Sequence, residues 1–139
     1  MVEARNRQRA TPRRHLRALR SLAGTDYWPS FDGAILFLEE VKLRSAEVHG
    51  IDEALTHLQL LGVFSRLAGI IVGKVYGLSP EENRQLDDLL LRYSQPYHFP
   101  VLTRVDFGHT DPRLTLPLGI RASLDAAHDT FSLEEAAVV

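Results

Sequence analysis

Two titratable side chains stand where this chain could use them for chemistry. Glu39 closes the apolar run Ala34-Ile35-Leu36-Phe37-Leu38, and a carboxylate at the end of a buried element is partly desolvated unless a donor meets it. His109 follows Asp106-Phe107-Gly108. The missing side chain of Gly108 permits a tight bend from which an imidazole can project. A carboxylate beside an imidazole can hold the ring in one tautomer and stabilise its positive charge while the ring moves a proton. The pair lies about seventy residues apart in sequence, which neither requires nor excludes contact. A histidine in a loop serves as readily as a surface or structural residue, and spacing alone leaves that choice open.

The other candidates carry less. His49 and His57 lack a His-Glu-x-x-His or paired-carboxylate spacing, so no metal site is expected. His15 lies in a basic arm, His98 in a proline-bounded loop and His128 at a hairpin tip. Gly69, Gly73 and Gly77 are spaced as strand and turn glycines; no Gly-Lys-Ser/Thr follows, so nucleotide binding is not expected and no cofactor is implied. With no cysteine there is no disulfide, thiolate metal ligand or sulfur nucleophile. Ser21, Ser30, Ser45, Ser65, Ser94, Ser123 and Ser132 lack the sharp strand-to-helix setting of a catalytic serine, and Ser79 reads as a helix cap.

The elements that must position Glu39 and His109 follow from periodicity. Ala34 to Leu38 and Gly69 to Val75 are short apolar runs, the pattern of strands buried on both faces. Ala10 to Ala23 reads as a short helix with Leu16, Leu19 and Leu22 on one side, stopped by Gly24. Ile51, Leu55, Leu58 and Leu61 recur at helical spacing through Phe64. Ser79-Pro80-Glu81-Glu82 combines a cap, a proline at the first helical position and a capping box, and Leu86, Leu89 and Leu90 supply the inner face of the helix it starts. The last third reads as β-structure: Pro100 to Val105, then Leu114 to Gly119 after the Thr110-Asp111-Pro112 turn. A terminal hairpin of Ile120 to Leu124 with Thr130 to Leu133 follows. His109 is thereby placed on a bend between strands. The class is α/β, with helices against a largely buried sheet.

Composition bounds what these elements can serve. A chain of 139 residues with 45% hydrophobic and 24% charged content suits one soluble globular domain. No apolar run approaches the roughly 20 residues of a membrane helix, and no secretory apolar segment opens the chain, which implies a cytoplasmic protein with no membrane partner. Net charge of −2 hides an asymmetry: residues 1–20 hold seven arginines against Glu3, a formal +6, and the rest holds nine basic and seventeen acidic residues. Residues 1–20 are therefore set apart as a basic N-terminal extension and residues 21–139 as the domain. Arginines can attract nucleic acid, but no aromatic residue interleaves with them to stack bases, so nucleic acid is not the expected partner.

Several segments together resemble one family. Gly24-Thr25 through Tyr27-Trp28-Pro29, Gly33-Ala34-Ile35-Leu36-Phe37-Leu38-Glu39-Glu40-Val41, Leu61-Gly62-Val63-Phe64 with Ala68 to Gly73, Asp106-Phe107-Gly108-His109-Thr110-Asp111-Pro112 and Leu114-Thr115-Leu116-Pro117-Leu118-Gly119 occur in this order. The chain is similar, over roughly residues 21–139, to the C-terminal domain of LD-carboxypeptidases, serine peptidases of the muramoyltetrapeptide carboxypeptidase and microcin C immunity type. The resemblance implies a compact swivelling-type β/β/α domain with a mixed sheet and two or three helices. It also implies that Glu39 and His109 are two members of a catalytic triad, with Glu40 a neighbour.

In that family the triad serine belongs to an N-terminal α/β domain, on a Gly-x-Ser-Asp-like turn, and no such motif occurs in these residues. The resemblance therefore implies that a serine-bearing domain is missing from this chain and must be its partner, and that the chain alone is inactive. The implied substrate is an amide bond to a D-configured centre in a murein-type peptide, as in peptidoglycan recycling, or a peptidyl-nucleotide amide. Relatives are often homodimers, and the resemblance extends that expectation here. The other reading is a non-catalytic module that binds peptide or pairs with another chain, or a degraded remnant. The triad assignment makes one geometric demand: a carboxylate-to-imidazole separation of about 2.6–3.2 Å, or slightly longer without the partner domain.

Overall fold

A computed structural model of the protein describes residues 6–9, 14–41 and 47–138. The elements in chain order are β1 (Asn6–Arg9), β2 (Arg14–His15), α1 (Leu16–Arg20), β3 (Ala34–Glu39), α2 (Glu47–Leu60), β4 (Leu67–Gly73), α3 (Pro80–Ser94), β5 (Val101–Val105), β6 (Arg121–Asp125) and β7 (Thr130–Leu133). Short 3-10 turns at Phe64–Arg66 and Gln95–Tyr97 lead into β4 and out of α3.

Two sheets are stacked under one layer of helices. The first is parallel, in the order β2-β3-β4-β5; the second is antiparallel, in the order β1-β6-β7. The expected β/β/α architecture is present, and its mixed pairing is divided between the two sheets. β3 and β4 are apolar along their length because each face meets a different layer. Leu36 and Leu38 of β3 pack with Ile51, Leu55 and Leu58 of α2 and Leu86, Leu89 and Leu90 of α3. Ile35 and Phe37, one residue out of phase, pack with Phe107, Ala122 and Leu124 on the antiparallel side. Phe37 meets Phe107 and Phe131 edge-on at centroid distances of 5.6 and 6.0 Å, a geometry that aligns the positive ring edge with the negative face.

Local chemistry fixes the helix starts and the hairpin. Ser79 Oγ accepts from the Glu82 N–H at 3.2 Å, and the Glu82 carboxylate accepts from the Ser79 N–H at 2.8 Å, so the capping box forms as its spacing demands. The terminal hairpin pairs Ala122 with Leu133 and Leu124 with Phe131. Tyr93 of α3 joins α2 through Thr56 at 2.6 Å and the Asp52 carboxylate at 2.7 Å.

Two expectations about the elements are corrected. The helix expected over Ala10 to Ala23 is confined among the described residues to Leu16–Arg20, because Arg14 and His15 pair with β3 instead; residues 10–13 lie outside the described residues. Within the basic N-terminal extension β1 pairs with β6, and Leu16 and Leu19 are buried, while residues 1–5 also lie outside the described residues. Leu114 to Gly119 forms no described strand. The Leu114 N–H bonds the Asp106 carbonyl at 2.6 Å, which closes a loop, and Pro117 has no N–H for a ladder.

Candidate active site

Parallel strands bring their carboxyl ends to one rim, and in open α/β sheets that rim is where ligands bind. Here β3 ends at Glu39, β4 ends just before Lys74, and β5 runs into the loop that carries His109. Alternation along β3 decides which way Glu39 faces. It follows Ile35 and Phe37 on the antiparallel-sheet side, whereas Glu40 follows Leu36 and Leu38 on the helix side.

The loop from Asp106 to His109 is tied down on several sides. Phe107 is fully buried against Phe37, and its N–H bonds the Val105 carbonyl at 2.8 Å. Lys74 bonds the Val105 carbonyl through its N–H at 3.0 Å, and its ammonium pairs with the Asp106 carboxylate. Gly73 must lack a side chain, since a Cβ there would lie 2.5 Å from the Phe107 carbonyl oxygen.

Gly108 is constrained twice. Its φ of 88° lies in the left-handed region that glycine adopts without steric cost. A Cβ at this position would fall 2.5 Å from Glu39 Oε2 and 3.0 Å from Glu39 Cβ. The glycine therefore both turns the chain and lets the Glu39 carboxylate lie directly against the backbone that precedes His109.

Across this glycine, His109 Nδ1 lies 3.9 Å from Glu39 Oε2. The Glu39 side chain is 16% exposed and the imidazole 49% exposed. The separation is longer than a hydrogen bond and beyond the about 2.6–3.2 Å that the triad assignment demands. Such bonds often tighten only once the site is complete. The imidazole thus presents Nδ1 to the carboxylate.

Glu40 has a different setting. It is buried, accepts from the Val41 N–H at 3.1 Å and lies 3.9 Å from the Arg17 guanidinium of α1. It faces the helix layer, away from the rim where Glu39 meets His109.

An open cleft of about 560 Å³ runs beside His109, lined also by Lys74, Val75, Tyr76, Arg104 and Thr110, with Pro80 and Asn83 from the start of α3. Among the described residues no group of three or more histidine, aspartate and glutamate side chains could hold a metal ion. His49 pairs with Glu53 on an exposed helix face, and His128 with Asp125 at the hairpin tip, where it lowers the Asp125 pKa. No described helix is long and apolar enough to cross a membrane.

Comparison with known proteins identifies the family. The family model described as LD-carboxypeptidase C-terminal domain matches residues 15–124. The chain belongs to the LD-carboxypeptidase family. The microcin C7 self-immunity protein MccF of Escherichia coli is 30% identical over 124 residues, 87% of this chain and 35% of that protein. A structure of MccF in complex with glutamyl sulfamoyl guanosine superposes with a TM-score of 0.77 at 26% identity, covering 99% of this chain and 41% of that one. A muramoyltetrapeptide carboxypeptidase from Oxalobacter formigenes gives a TM-score of 0.72 at 26% identity, covering 89% of this chain and 42% of that one. The chain spans about a third of the length of the curated relatives it matches.

For this LD-carboxypeptidase domain, the sequence singled out Glu39 and His109, and the structure brings both to one rim. It did not single out Lys74, which was placed inside a strand, or Arg104. A charged residue at the C-terminal end of an apolar run was the available signal for Lys74. Arg104 has φ of 60°, and an arginine leaves no trace of that conformation in sequence.

Proposed function

We propose that Glu39 and His109 are the orienting acid and general base of a serine carboxypeptidase whose nucleophilic hydroxyl comes from outside these 139 residues, on a serine-bearing domain. The observation that carries this reading is the 3.9 Å approach of His109 Nδ1 to Glu39 Oε2 at the carboxyl-end rim of the parallel sheet, across a glycine that admits the carboxylate.

In the proposed cycle Glu39 holds the ring with Nδ1–H directed at its carboxylate. Nε2 takes the serine proton as the oxygen attacks the scissile carbonyl. The same proton then passes to the leaving amine nitrogen; in the second half Nε2 deprotonates the water that attacks the acyl-serine and returns that proton to the departing serine oxygen. The imidazolium formed at each step is stabilised by the carboxylate behind it.

The family membership supports a carboxypeptidase-type substrate. We propose an amide bond to a D-configured centre in murein-type peptides of peptidoglycan recycling in the cytoplasm. MccF, which was solved with acyl sulfamoyl nucleosides, supports a peptidyl-nucleotide amide as the alternative class.

The test is turnover of a murein tetrapeptide by this chain, by a serine-bearing domain of a relative, and by the two together. The expected result is activity in the mixture only, reduced at least about a thousandfold by His109→Ala. Activity of the chain alone, or a mixture indifferent to His109→Ala, overturns the reading.

A further inference from the structure

Arg104 holds an unusual place in this cleft. β4 and β5 pair Ile71 with Leu102 and then Gly73 with Val105, so three residues of β5 advance against two of β4. The extra residue makes a β-bulge, a feature that re-aims side chains and is common beside active sites. Within it Arg104 adopts φ of 60°, a left-handed conformation that non-glycine residues adopt only where the surroundings enforce it.

The guanidinium is held in place. Its Nη2 pairs with the Asp87 carboxylate of α3, and its Nη1 donates to Thr103 Oγ1 at 3.1 Å. A guanidinium has five N–H donors in a planar fork, so these two bonds fix the group and leave donors over. The side chain is half exposed and lines the same cleft as His109. The cleft's other strand-end cation, Lys74, is closed onto Asp106 of the loop that carries His109.

An enzyme that removes a C-terminal residue must tell a free carboxylate from a continuing chain. That carboxylate lies one residue from the scissile carbonyl, so its receptor must share a cleft with the general base. We propose that Arg104 is the specificity residue of this site and receives the terminal carboxylate of a peptide substrate. The inference rests on the cleft beside His109 being the substrate site proposed above. Asp87 acts as a positioning residue by holding the guanidinium, and the planar fork suits a carboxylate better than a point charge does.

The experiment is calorimetric titration of the full chain with Nα-acetyl-L-lysyl-D-alanine and with its C-terminal amide. The acid is expected to bind at least about tenfold more tightly than the amide, the size of one charge-assisted contact. Arg104→Asn should reduce that preference to less than about twofold, and Arg104→Lys should leave an intermediate value. Asparagine tolerates the left-handed region, so Arg104→Asn should melt at or above the wild-type temperature, which separates lost recognition from lost folding. Equal binding of acid and amide by the wild type, binding of neither, or a preference retained in Arg104→Asn overturns the inference. The inference thus fails on binding, whereas the proposed function fails on whether turnover by the mixture needs His109.

Discussion

Glu39 and Glu40 are the same residue type one position apart, each 3.9 Å from a cationic or titratable nitrogen, yet they serve different parts of the molecule. The pleat sends Glu40 under the helices, where 5% of its side chain is exposed and the Arg17 guanidinium fastens α1 to the end of β3. The same pleat sends Glu39 to the other face, at the rim beside His109. A buried pair costs desolvation that only good partners offset, so it fastens structure, whereas a pair at a rim keeps access to a proton acceptor. Strand alternation alone therefore separates a buried acid that fastens structure from the rim acid proposed to do chemistry.

The comparison can be broken most forcefully from the loop that faces Glu39. Phe107→Ala removes a fully buried ring that packs on Phe37. The expected loss is about 3–5 kcal/mol of stability by denaturant unfolding, together with the placement of His109.

Glu40→Ala should cost less, about 1–3 kcal/mol, because it removes the acceptor of the Val41 N–H and the carboxylate near Arg17. Gly108→Ala should cost roughly 1–2 kcal/mol from the left-handed backbone. Its methyl would also displace the Glu39 carboxylate, so ring-nitrogen shifts of His109 in NMR spectra should change in this variant and not in Glu40→Ala.

Glu39→Gln sharpens the contrast from the other side. It should change stability by no more than about 0.5 kcal/mol while lowering turnover of the mixture with the serine-bearing domain. A Glu40→Gln variant with the same turnover loss and unchanged stability would erase the distinction between the two acids.

The smallest effect concerns a pair remote from the rim. Asp32 accepts from Arg66 Nε at 2.6 Å and from Ser30 Oγ at 2.9 Å, and these bonds hold its pKa at about 2. The folded pKa lies below the ordinary aspartate value of 3.8. Its stabilisation is therefore present above about pH 4 and lost as pH falls from there toward 2. Arg66→Gln should lower the melting temperature slightly at neutral pH, and the difference from wild type should shrink over that acid range.

Much of the scaffold was legible locally. The apolar runs of β3 and β4, the capping box of α3 and the terminal hairpin follow from periodicity and turn residues within a few positions of one another. The misjudged stretches are those that another segment decides. Arg14 and His15 look helical beside Leu16 but pair with β3, and Leu114 to Gly119 alternates like a strand but is drawn back by the Asp106 carbonyl. At the site, the residue types at 39, 108 and 109 were readable, and their roles were implied by likeness to a family rather than by spacing.

By itself the sequence determined which residues could be buried, where α3 begins, and that a carboxylate closes one apolar strand while an imidazole follows a glycine. Those are properties of neighbours along the chain, set by side-chain volume, capping and turn chemistry. The tertiary structure alone decided that the two ends meet. The parallel order β2-β3-β4-β5 lays the ends of β3 and β5 on one rim with β4 between them. A bulge in β5 then turns Arg104 toward the same cleft. Contacts of this kind depend on strand order and register, which arise from packing all the layers at once.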